Sequence, residues 1–501
     1  MSETVWFEAP MRADDQWEKF EALVRGDCSD LFDSVAPIAG ARAPGRLDVM
    51  GGVADYSGSM VLEMPIAQAA CVAWQWRSDR KLRIRSIGPD KDGGFPSVDL
   101  SLDDLLRPGG FLRPIEEVHE RLTSEVHNRW AAYVAGCYYV MLAAYTKFSE
   151  GRADMRAGEL GANILVSSDV PPGAGVSSSA AIEVATMHAL NEAAGIHPSD
   201  LTLAAWCQRV ENSIVGAPCG IMDQVTAALG REDSLLVLRC QPHDVLGHQR
   251  TPPGWRFVGI DSGVKHSVGG RAYTKARVGA FMGLKIVQLE SGGKPRQNYL
   301  CTLSPAEFNL YRDMVPHEIT GQAYFDLYGR LPDPVTIVDA GETYRPRDCA
   351  EHPVLENDRV KQFFGLMQLA SARYEELDEA RSATEPPPAL DFDCISRAGG
   401  LMYESHESYG KRLDLGCAET DLIVTMVKAR GRDRGLFGAK ITGGGAGGTV
   451  AVLCDGESKE SSTALNEVCD EYFKSTGIAP RTFVGSSPGA LAFGARHIMR
   501  G

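Results

Sequence analysis

The chain has 501 residues, 44% of them hydrophobic and 23% charged, and a formal net charge of −15. This length exceeds what one hydrophobic core holds, so we predict two domains, at residues 1–250 and 251–501. Because acidic residues outnumber basic ones and no basic block occurs, we expect neither nucleic acid nor an anionic membrane as a partner.

The cysteines and the apolar stretches are typical of a reduced, cytoplasmic protein. The twelve cysteines are scattered without a C-x-x-C pair, which favours free thiols over a disulfide framework or a zinc site. The N-terminus lacks a basic region followed by an apolar run, so we expect no signal peptide. The longest uncharged stretch, residues 130–146, is short for a membrane span and predicts a buried core helix.

Apolar periodicity and turn residues predict helices and strands along the whole chain. The region at residues 1–35 mixes acidic and apolar residues and is expected to be helical. The Pro-rich residues 385–389 are expected to form a rigid surface loop. The other predicted elements, in chain order, are a strand at 61–76, a long helix or helix pair at 117–145, a strand at 163–170, a helix at 180–194, strands at 235–240 and 257–262 with turn-rich sequence between them, helices at 395–408 and 421–429, and a strand, glycine loop and strand within 436–454.

The most informative segment is residues 171–181, Pro-Pro-Gly-Ala-Gly-Val-Ser-Ser-Ser-Ala-Ala, between a predicted strand and a predicted helix. Gly173 and Gly175 allow the backbone to turn where a Cβ would clash. The three serines can cap the helix, whose free N–H groups and dipole favour an anion. The pattern therefore predicts a phosphate-binding loop, and an ordinary capped helix is the alternative. The expected phosphate-binding residues are Gly173, Ala174, Gly175, Ser177, Ser178 and Ser179.

A second glycine-rich segment, residues 443–448, satisfies the G-x-G-x-x-G pattern of dinucleotide sites. That fingerprint requires a helix directly after it, whereas Thr449 begins a predicted strand. No G-x-x-x-x-G-K-[ST] pattern occurs either. We therefore interpret the segment as a hairpin that packs close to the phosphate-binding loop, with Gly444 and Gly445 near the nucleotide. A purely structural turn is the alternative.

A third segment, residues 43–56, reads Ala-Pro-Gly-Arg-Leu-Asp-Val-Met-Gly-Gly-Val-Ala-Asp-Tyr. Together, and in this order, the three segments resemble the signature motifs of the GHMP kinases, the small-molecule kinases that include galactokinase. The resemblance implies a two-domain α+β fold with the active site in the cleft between the domains. It also implies ATP and Mg²⁺ as cofactors and a small sugar as the substrate.

The segment at 210–224 resembles the galactokinase segment that supplies two carboxylates. By this resemblance Glu211 and Ser179 would be the magnesium ligands, and Asp223 would accept the proton of the anomeric hydroxyl. Arg46 would lie beside Asp223, stabilise its charge and stabilise the transferring phosphoryl group. Without the resemblance, Glu211 would be a solvated helix residue and Asp223 a helix cap.

The resemblance assigns further residues to the substrates. The expected sugar-binding residues are Asp55, Gly52, Val53, Gly220 and Tyr273. Trp130 would lie near adenine, although a tryptophan on an apolar helix is also typical of a core. The segments at 261–267, 401–406 and 419–421 resemble other galactokinase elements.

The first motif departs from galactokinases, which have Gly-Glu-His-Thr-Asp-Tyr where this chain has Gly51-Gly52-Val53-Ala54-Asp55-Tyr56. In that family the Glu and His face the exocyclic hydroxymethyl group of the sugar. Galactose without that group is L-arabinose, and a buried Glu without its hydroxyl partner would cost about 1–3 kcal/mol or more. The Gly52–Val53 pair therefore predicts a kinase that forms L-arabinose 1-phosphate, and the variant motif resembles the kinase half of plant L-arabinokinases.

Two alternatives remain open at this point. In the first, the Gly52–Val53 pair only reshapes a loop, and the enzyme is a galactokinase or another hexose 1-kinase. In the second, the chain is a non-catalytic sugar sensor on the same fold, although sensors should lack part of the set Arg46, Ser179, Glu211 and Asp223, which is complete here.

Overall fold

An eight-stranded sheet, a four-stranded sheet, a small two-stranded sheet of β9 and β10, and the helices packed on them form the described part of the fold. The computed structural model describes residues 6–88, 96–148, 160–265, 270–295, 298–379 and 391–499. The strands are β1 (Ile38–Met50), β2 (Met60–Arg77), β3 (Lys81–Ile87), β4 (Ser97–Ser101), β5 (Gly161–Ser168), β6 (Ser234–Arg239), β7 (Asp244–Arg250), β8 (Trp255–Asp261), β9 (Ile319–Thr320), β10 (Thr343–Tyr344), β11 (Leu436–Ile441), β12 (Thr449–Asp455), β13 (Arg481–Phe483) and β14 (Arg496–Ile498).

The helices confirm the expected α+β mixture. They are α1 (Ala13–Arg25), α2 (Ile115–Thr123), α3 (Ala131–Phe148), α4 (Ser178–Ala194), α5 (Asp200–Arg209), α6 (Met222–Leu229), α7 (Arg271–Glu290), α8 (Pro305–Asn309), α9 (Gly321–Tyr328), α10 (Pro346–Glu379), α11 (Phe392–Leu413), α12 (Ala418–Arg430), α13 (Lys459–Thr476) and α14 (Ala490–Phe493).

The first sheet has eight strands in the order β14-β1-β2-β5-β3-β4, with β6 paired to β2 and β7 to β6. Strand β2 is 18 residues long and almost entirely buried, so it pairs with β1, β5 and β6 at different points along its length. Strand β3 pairs with β5 in parallel, and the other ladders of this sheet are antiparallel. Helix α4 packs on β1 and β2, which places its N-terminus beside the bulged part of β1.

The second sheet has the order β11-β12-β8-β13 and is antiparallel. Helix α11 packs on β11, and α10 packs on α11 and α7. The segment from Leu284 to Ala389 carries no recognisable motif. Its described part consists mainly of the helices α8, α9 and α10. The chain passes from the first sheet to the second between β7 and β8, and its last strand, β14, pairs in the first sheet again. The domain limits at residue 250 stay a prediction.

Most predicted elements are present within a few residues of their expected limits. The region at 117–145 is the helix pair α2 and α3, and residues 436–454 form the expected hairpin. The turn-rich interval near residue 250 contains β7, which the sequence did not predict. The expected proline-rich loop at 385–389 and residues 266–269 lie outside the described residues.

All twelve cysteines are free, as expected, and ten of them are buried. In the part of the chain that the structure describes, no helix is long and apolar enough to cross a membrane. The apolar stretch at 130–146 forms most of α3, which is a core helix as predicted.

Candidate active site

The three segments that carry the sequence motifs meet at Arg46. This residue lies on β1 beside an irregularity in the pairing of β1 with β2. The Arg46 Nη1 donates to the carbonyl oxygen of Gly175 at 2.7 Å, and the Arg46 backbone N–H donates to Val176 at 3.1 Å. The hairpin after β11 reaches the same loop, because Thr449 Oγ1 donates to the Ala174 carbonyl at 2.8 Å. The three segments that carry the sequence motifs are therefore in direct contact.

A cavity of about 450 Å³ opens at this junction. The expected site residues that line it are Arg46, Val53, Asp55, Trp130, Gly173, Gly175, Ser177, Ser178, Ser179, Gly220, Asp223, Tyr273 and Gly444. Four expected residues do not line it, namely Gly52, Ala174, Glu211 and Gly445. The cavity is also lined by Ser86, Pro96, Tyr133 and Cys219, to which sequence reasoning gave no role.

Asp223 is the most exposed member of a buried charge cluster. It lies in the first turn of α6, and Arg46 Nε and Nη2 both contact its Oδ1, at 3.0 and 2.8 Å. The side chain of Asp223 is 22% exposed and that of Arg46 is 3% exposed, so the carboxylate borders the cavity while its partner is buried. Because both contacts are to Oδ1, Oδ2 is left to accept a hydrogen bond from a bound molecule.

Glu63 of β2 also contacts Arg46, with its Oε2 3.2 Å from the Nε atom that donates to Asp223. Burial and then the charge of Asp48 raise the pKa of Glu63 well above its usual range. Burial alone would lower the pKa of Arg46, but the neighbouring acidic groups, with Asp223 first, outweigh it and raise that pKa. Arg46 is therefore a permanent cation fixed between a strand, the loop before α4 and Asp223.

Glu211 is not the solvated helix residue of the alternative interpretation. It lies in a π-helical turn, Val210–Val215, and is 2% exposed. Its Oε2 accepts hydrogen bonds from Gln224 Nε2 at 2.7 Å and from Cys219 Sγ at 3.4 Å. Burial raises the pKa of Glu211 to about 7, and a hydrogen bond from Ser179 acts in the opposite direction. π-Turns within helices occur often at functional sites.

The Ser179–Glu211 pair fits a magnesium ion. A hydroxyl and a carboxylate are the hard oxygen donors that Mg²⁺ prefers, and Mg²⁺ commonly takes its remaining ligands from substrate phosphates and water. Among the described residues, no group of three or more His, Cys, Asp or Glu side chains is arranged to hold a metal alone. The pair could therefore hold a metal that arrives with a phosphate ligand.

The loop before α4 has the predicted conformation but not the predicted caps. Gly173 and Gly175 have φ values of 78° and 72°, in the left-handed region that glycine favours. Ser177 occupies the N-cap position with φ 58°, yet its side chain makes no capping hydrogen bond, and Ser178 Oγ donates to the Val170 carbonyl instead. The Ser177 hydroxyl is buried without a hydrogen-bond partner among the described residues. An unpaired hydroxyl and a helix N-terminus at the cavity wall fit a phosphate group.

Asp55 and Gly220 touch on the other side of the cavity. A Cβ at position 220 would lie 1.6 Å from Asp55 Oδ2, so only glycine fits there. Burial, followed by the charge of Asp223, raises the pKa of Asp55 to about 6. Nearby, the Tyr273 ring meets Tyr56 edge-on with centroids 6.2 Å apart.

Arg277 supports this side of the cavity from α7. Its guanidinium lies 5.3 Å above the Tyr56 ring and forms an ion pair with buried Asp333 at 2.8 Å. Asp333 belongs to the segment without motifs. No local sequence signal indicated either residue, because their partners are far away along the chain.

The loop between Gly51 and Asp55 turns two side chains toward the cavity, Val53 and Asp55. Val53 has φ 55°, which is a strained conformation for a β-branched residue and costs about 1–3 kcal/mol. Helix α10 holds this loop, because His352 Nε2 bonds the Gly52 carbonyl at 3.1 Å and Glu356 accepts from the Gly51 N–H at 3.2 Å. Burial lowers the pKa of His352 to about 4, so its neutral ring donates here and accepts from Ser408.

Gly52 itself faces away from the cavity. A Cβ at this position would lie 1.7 Å from Tyr409 Oη and 2.1 Å from Asp48 Oδ2. No pattern near Gly52 indicated this contact, since Tyr409 lies on α11 in the second half of the chain.

Two family models match the chain, in the regions that contain the motif segments at 43–56 and 171–181. The GHMP kinases N terminal domain matches residues 133–231, and the galactokinase galactose-binding signature matches residues 29–75. These matches agree with the order and spacing of the motifs.

Curated relatives extend the likeness to almost the whole chain. L-arabinokinase of Arabidopsis thaliana is 38% identical over 96% of this chain and 49% of its own length, so the chain spans about half of that relative. Galactokinase of Chloroflexus aggregans is 28% identical over 85% of this chain and 86% of its own. The structure of Lactococcus lactis galactokinase complexed with galactose has the same fold, with a TM-score of 0.67 and 18% identity over 95% of this chain and 99% of its own. The chain is thus similar to GHMP kinases and galactokinases over almost its whole length.

Proposed function

We propose that the chain is an ATP-dependent sugar 1-kinase that converts L-arabinose to L-arabinose 1-phosphate. The observation that carries the proposal is the Asp223–Arg46 pair, placed in one cavity with the loop before α4. Phosphoryl transfer needs an oriented hydroxyl and stabilisation of the transferring group more than covalent catalysis. The residues around this cavity supply both functions.

The proposed nucleophile is the anomeric hydroxyl, and Asp223 Oδ2 orients it by accepting its hydrogen bond. As the sugar oxygen bonds to the γ-phosphorus, the bond from that phosphorus to the β,γ-bridging oxygen breaks, ADP leaves and the hydroxyl proton passes to Asp223. Arg46 stays protonated throughout because its pKa is raised, so its positive charge faces the charge that develops on the transferring phosphoryl group.

The loop from Gly173 to Ser179 binds the phosphates in this proposal. The buried Ser177 hydroxyl and the first N–H groups of α4 donate to phosphate oxygens. Ser179 and Glu211 would hold Mg²⁺, which would supply positive charge to neutralise the phosphates. Trp130 and Tyr133 line the same cavity and form the apolar part that an adenine ring requires.

The choice of sugar rests on Val53 and Asp55. Asp55 is buried beside Gly220 and accepts from ring hydroxyls, whereas Val53 offers no hydrogen bond to an exocyclic hydroxymethyl group. A hydroxymethyl against this surface would lose hydrogen bonds that it makes in water, which disfavours D-galactose by about 1–3 kcal/mol. The 38% identity to L-arabinokinase supports the same acceptor.

The test is phosphorylation of a sugar panel by purified protein with Mg²⁺ and ATP, compared by kcat/KM. L-arabinose ahead of D-galactose is the expected result. D-galactose ahead would retain the kinase and refute the argument from Val53, in line with the galactokinase relatives. No transfer to any sugar would favour a non-catalytic sensor.

Asp223→Ala tests the catalytic assignment. We expect kcat to fall by about 10²–10⁴-fold, because the hydroxyl loses its acceptor. Far-ultraviolet circular dichroism and ATP binding should remain as in the parent protein. Turnover within a factor of a few of the parent would remove Asp223 from this role.

A further inference from the structure

The space beside the sugar loop is filled by a side chain from the second half of the chain. Tyr409 of α11 is fully buried, and its Oη lies where a Cβ at position 52 would be, 1.7 Å from it. Asp48, also fully buried, occupies the other side at 2.1 Å. Position 52 therefore accepts no side chain while Tyr409 keeps its place.

Tyr409 is held firmly in that place. Its Oη donates to the Gly443 carbonyl at 2.9 Å and lies 3.3 Å from Asp48 Oδ2. The ring meets His352 edge-on, with centroids 5.5 Å apart, and the Lys440 ammonium lies 5.4 Å from the ring centroid. Moving the ring would break the Gly443 hydrogen bond and uncover Lys440.

Lys440 and Asp48 complete the buried group. Lys440 Nζ lies 2.8 Å from Asp48 Oδ2, and both side chains are fully buried. A buried charge that loses its partner is strongly destabilising. Asp48 therefore stays on Lys440, and with Tyr409 Oη 3.3 Å from its Oδ2 it closes the second side of position 52.

We propose that Tyr409 is a specificity-determining residue for the sugar. It acts through Gly52, because a polar side chain at position 52, such as the Glu of galactokinases, cannot fit while the Tyr409 ring is present. The loop then turns only Val53 and Asp55 toward the cavity. This inference rests on the proposed function and adds a contact between the two halves of the chain to the discrimination that Val53 provides.

The test compares the parent with Gly52→Glu/Val53→His, with Tyr409→Leu, and with the triple variant. Leucine keeps the site apolar but leaves the position of the phenol ring's outer atoms empty, so Asp48 can turn aside without leaving Lys440. We expect the double variant to lose at least about tenfold in kcat/KM with both L-arabinose and D-galactose. The triple variant should then raise the ratio of D-galactose to L-arabinose at least about tenfold above the ratio in Tyr409→Leu.

Two activity results would overturn the proposal. One is a double variant that shifts the sugar ratio as far as the triple variant does, because a glutamate at position 52 would then fit beside Tyr409. The other is a triple variant whose ratio equals that of Tyr409→Leu, because Tyr409 would then not control the use of position 52. A ratio of two sugars does not change when a variant merely loses active protein.

A second measurement keeps the packing argument testable without any sugar. Gly52→Ala should lower the melting temperature of the parent, and should lower it clearly less in the Tyr409→Leu background. Equal decreases would refute the contact and with it the proposal. If the parent phosphorylates neither sugar, the proposed function fails, and the melting comparison still decides whether Tyr409 excludes a side chain at position 52.

Discussion

Replacing Arg46 by lysine tests whether the guanidinium, and not only its charge, organises the site. Arg46 contacts Asp223 Oδ1 through two nitrogens, at 3.0 and 2.8 Å, and the Gly175 carbonyl through a third, at 2.7 Å. A lysine ammonium is a single point of charge and cannot span these acceptors together. The Arg46→Lys variant therefore keeps the cation but loses at least one contact to Asp223 or to the loop before α4.

The magnitude follows from the number of contacts. A hydrogen bond to a charged group contributes about 1.5–3 kcal/mol. Loss of one donor that stabilises developing charge in a transition state lowers kcat by about 10²–10³-fold. We expect a decrease of that size in kcat for Arg46→Lys, with a smaller change in the KM for ATP because the Ser177 and α4 donors remain.

Arg42→Lys is the matched control. Arg42 lies on the same strand and is fully buried, and it donates to Gln16, the Ala67 carbonyl and Ser487, away from the cavity. Both variants should lower the melting temperature, but only Arg46→Lys should lower kcat by orders of magnitude. Equal losses of kcat, or a loss below about tenfold in Arg46→Lys, would refute the role given to the guanidinium.

Three further predictions concern the metal, the sugar and stability. The pKa of Glu211 is raised to about 7, and metal binding needs the ionised form of this side chain. The Mg²⁺ concentration for half-maximal rate should therefore rise as pH falls through 7. The Glu211→Gln variant should bind Mg²⁺ more weakly and should lack this pH dependence. A Cβ at Gly220 would displace Asp55, so Gly220→Ala should raise the sugar KM at least about tenfold and leave the ATP KM nearly unchanged; the reverse pattern would contradict the placement of the sugar. The pKa of His352 is about 4 in the folded protein, below its usual 6.5. Above pH 6.5 this difference adds up to about 3 kcal/mol to the free energy of unfolding. That stabilisation is lost as pH falls toward 4. Denaturant unfolding at pH 5 and 7 should show a smaller pH difference for His352→Gln than for the parent.

Much of the fold could be predicted because its elements carry local patterns. The apolar run at 61–76, the Ser-Ala-rich helix after residue 177 and the hairpin around residues 443–448 differ clearly from their neighbours in composition. Strand β7 was missed because its seven residues, Asp-Val-Leu-Gly-His-Gln-Arg, are mostly half-buried at a sheet edge and show no strict alternation. Edge strands need fewer apolar residues, so period-two patterns fade there.

The site could be predicted as far as its motifs reach. The sequence brought Arg46, Asp223 and the loop before α4 together through the family resemblance, and the structure places them in contact. The sequence did not predict the burial of Glu211. That burial depends on the π-helical turn at Val210–Val215, which the residue types there do not indicate. The sequence also attached Gly52 to the sugar, whereas the nearest groups to its missing side chain are Tyr409 and Asp48. The motif shows that the Glu of galactokinases is absent at position 52. The fold shows that Tyr409 and Asp48 occupy the space that a side chain there would need.

The charges around the cavity explain why its ligands should bind together. Burial raises the pKa of Asp55 to about 6 and of Glu211 to about 7, and raises that of Glu63 well above its usual range. Each carboxyl is therefore easier to protonate than in water, because ionising all of them in one buried region is unfavourable. A divalent cation beside Glu211 reverses this balance locally, and it also offsets the repulsion between Asp223 and the phosphates. Nucleotide and metal should accordingly bind as one unit, with release of protons, which is the physical origin of the pH dependence expected for Mg²⁺.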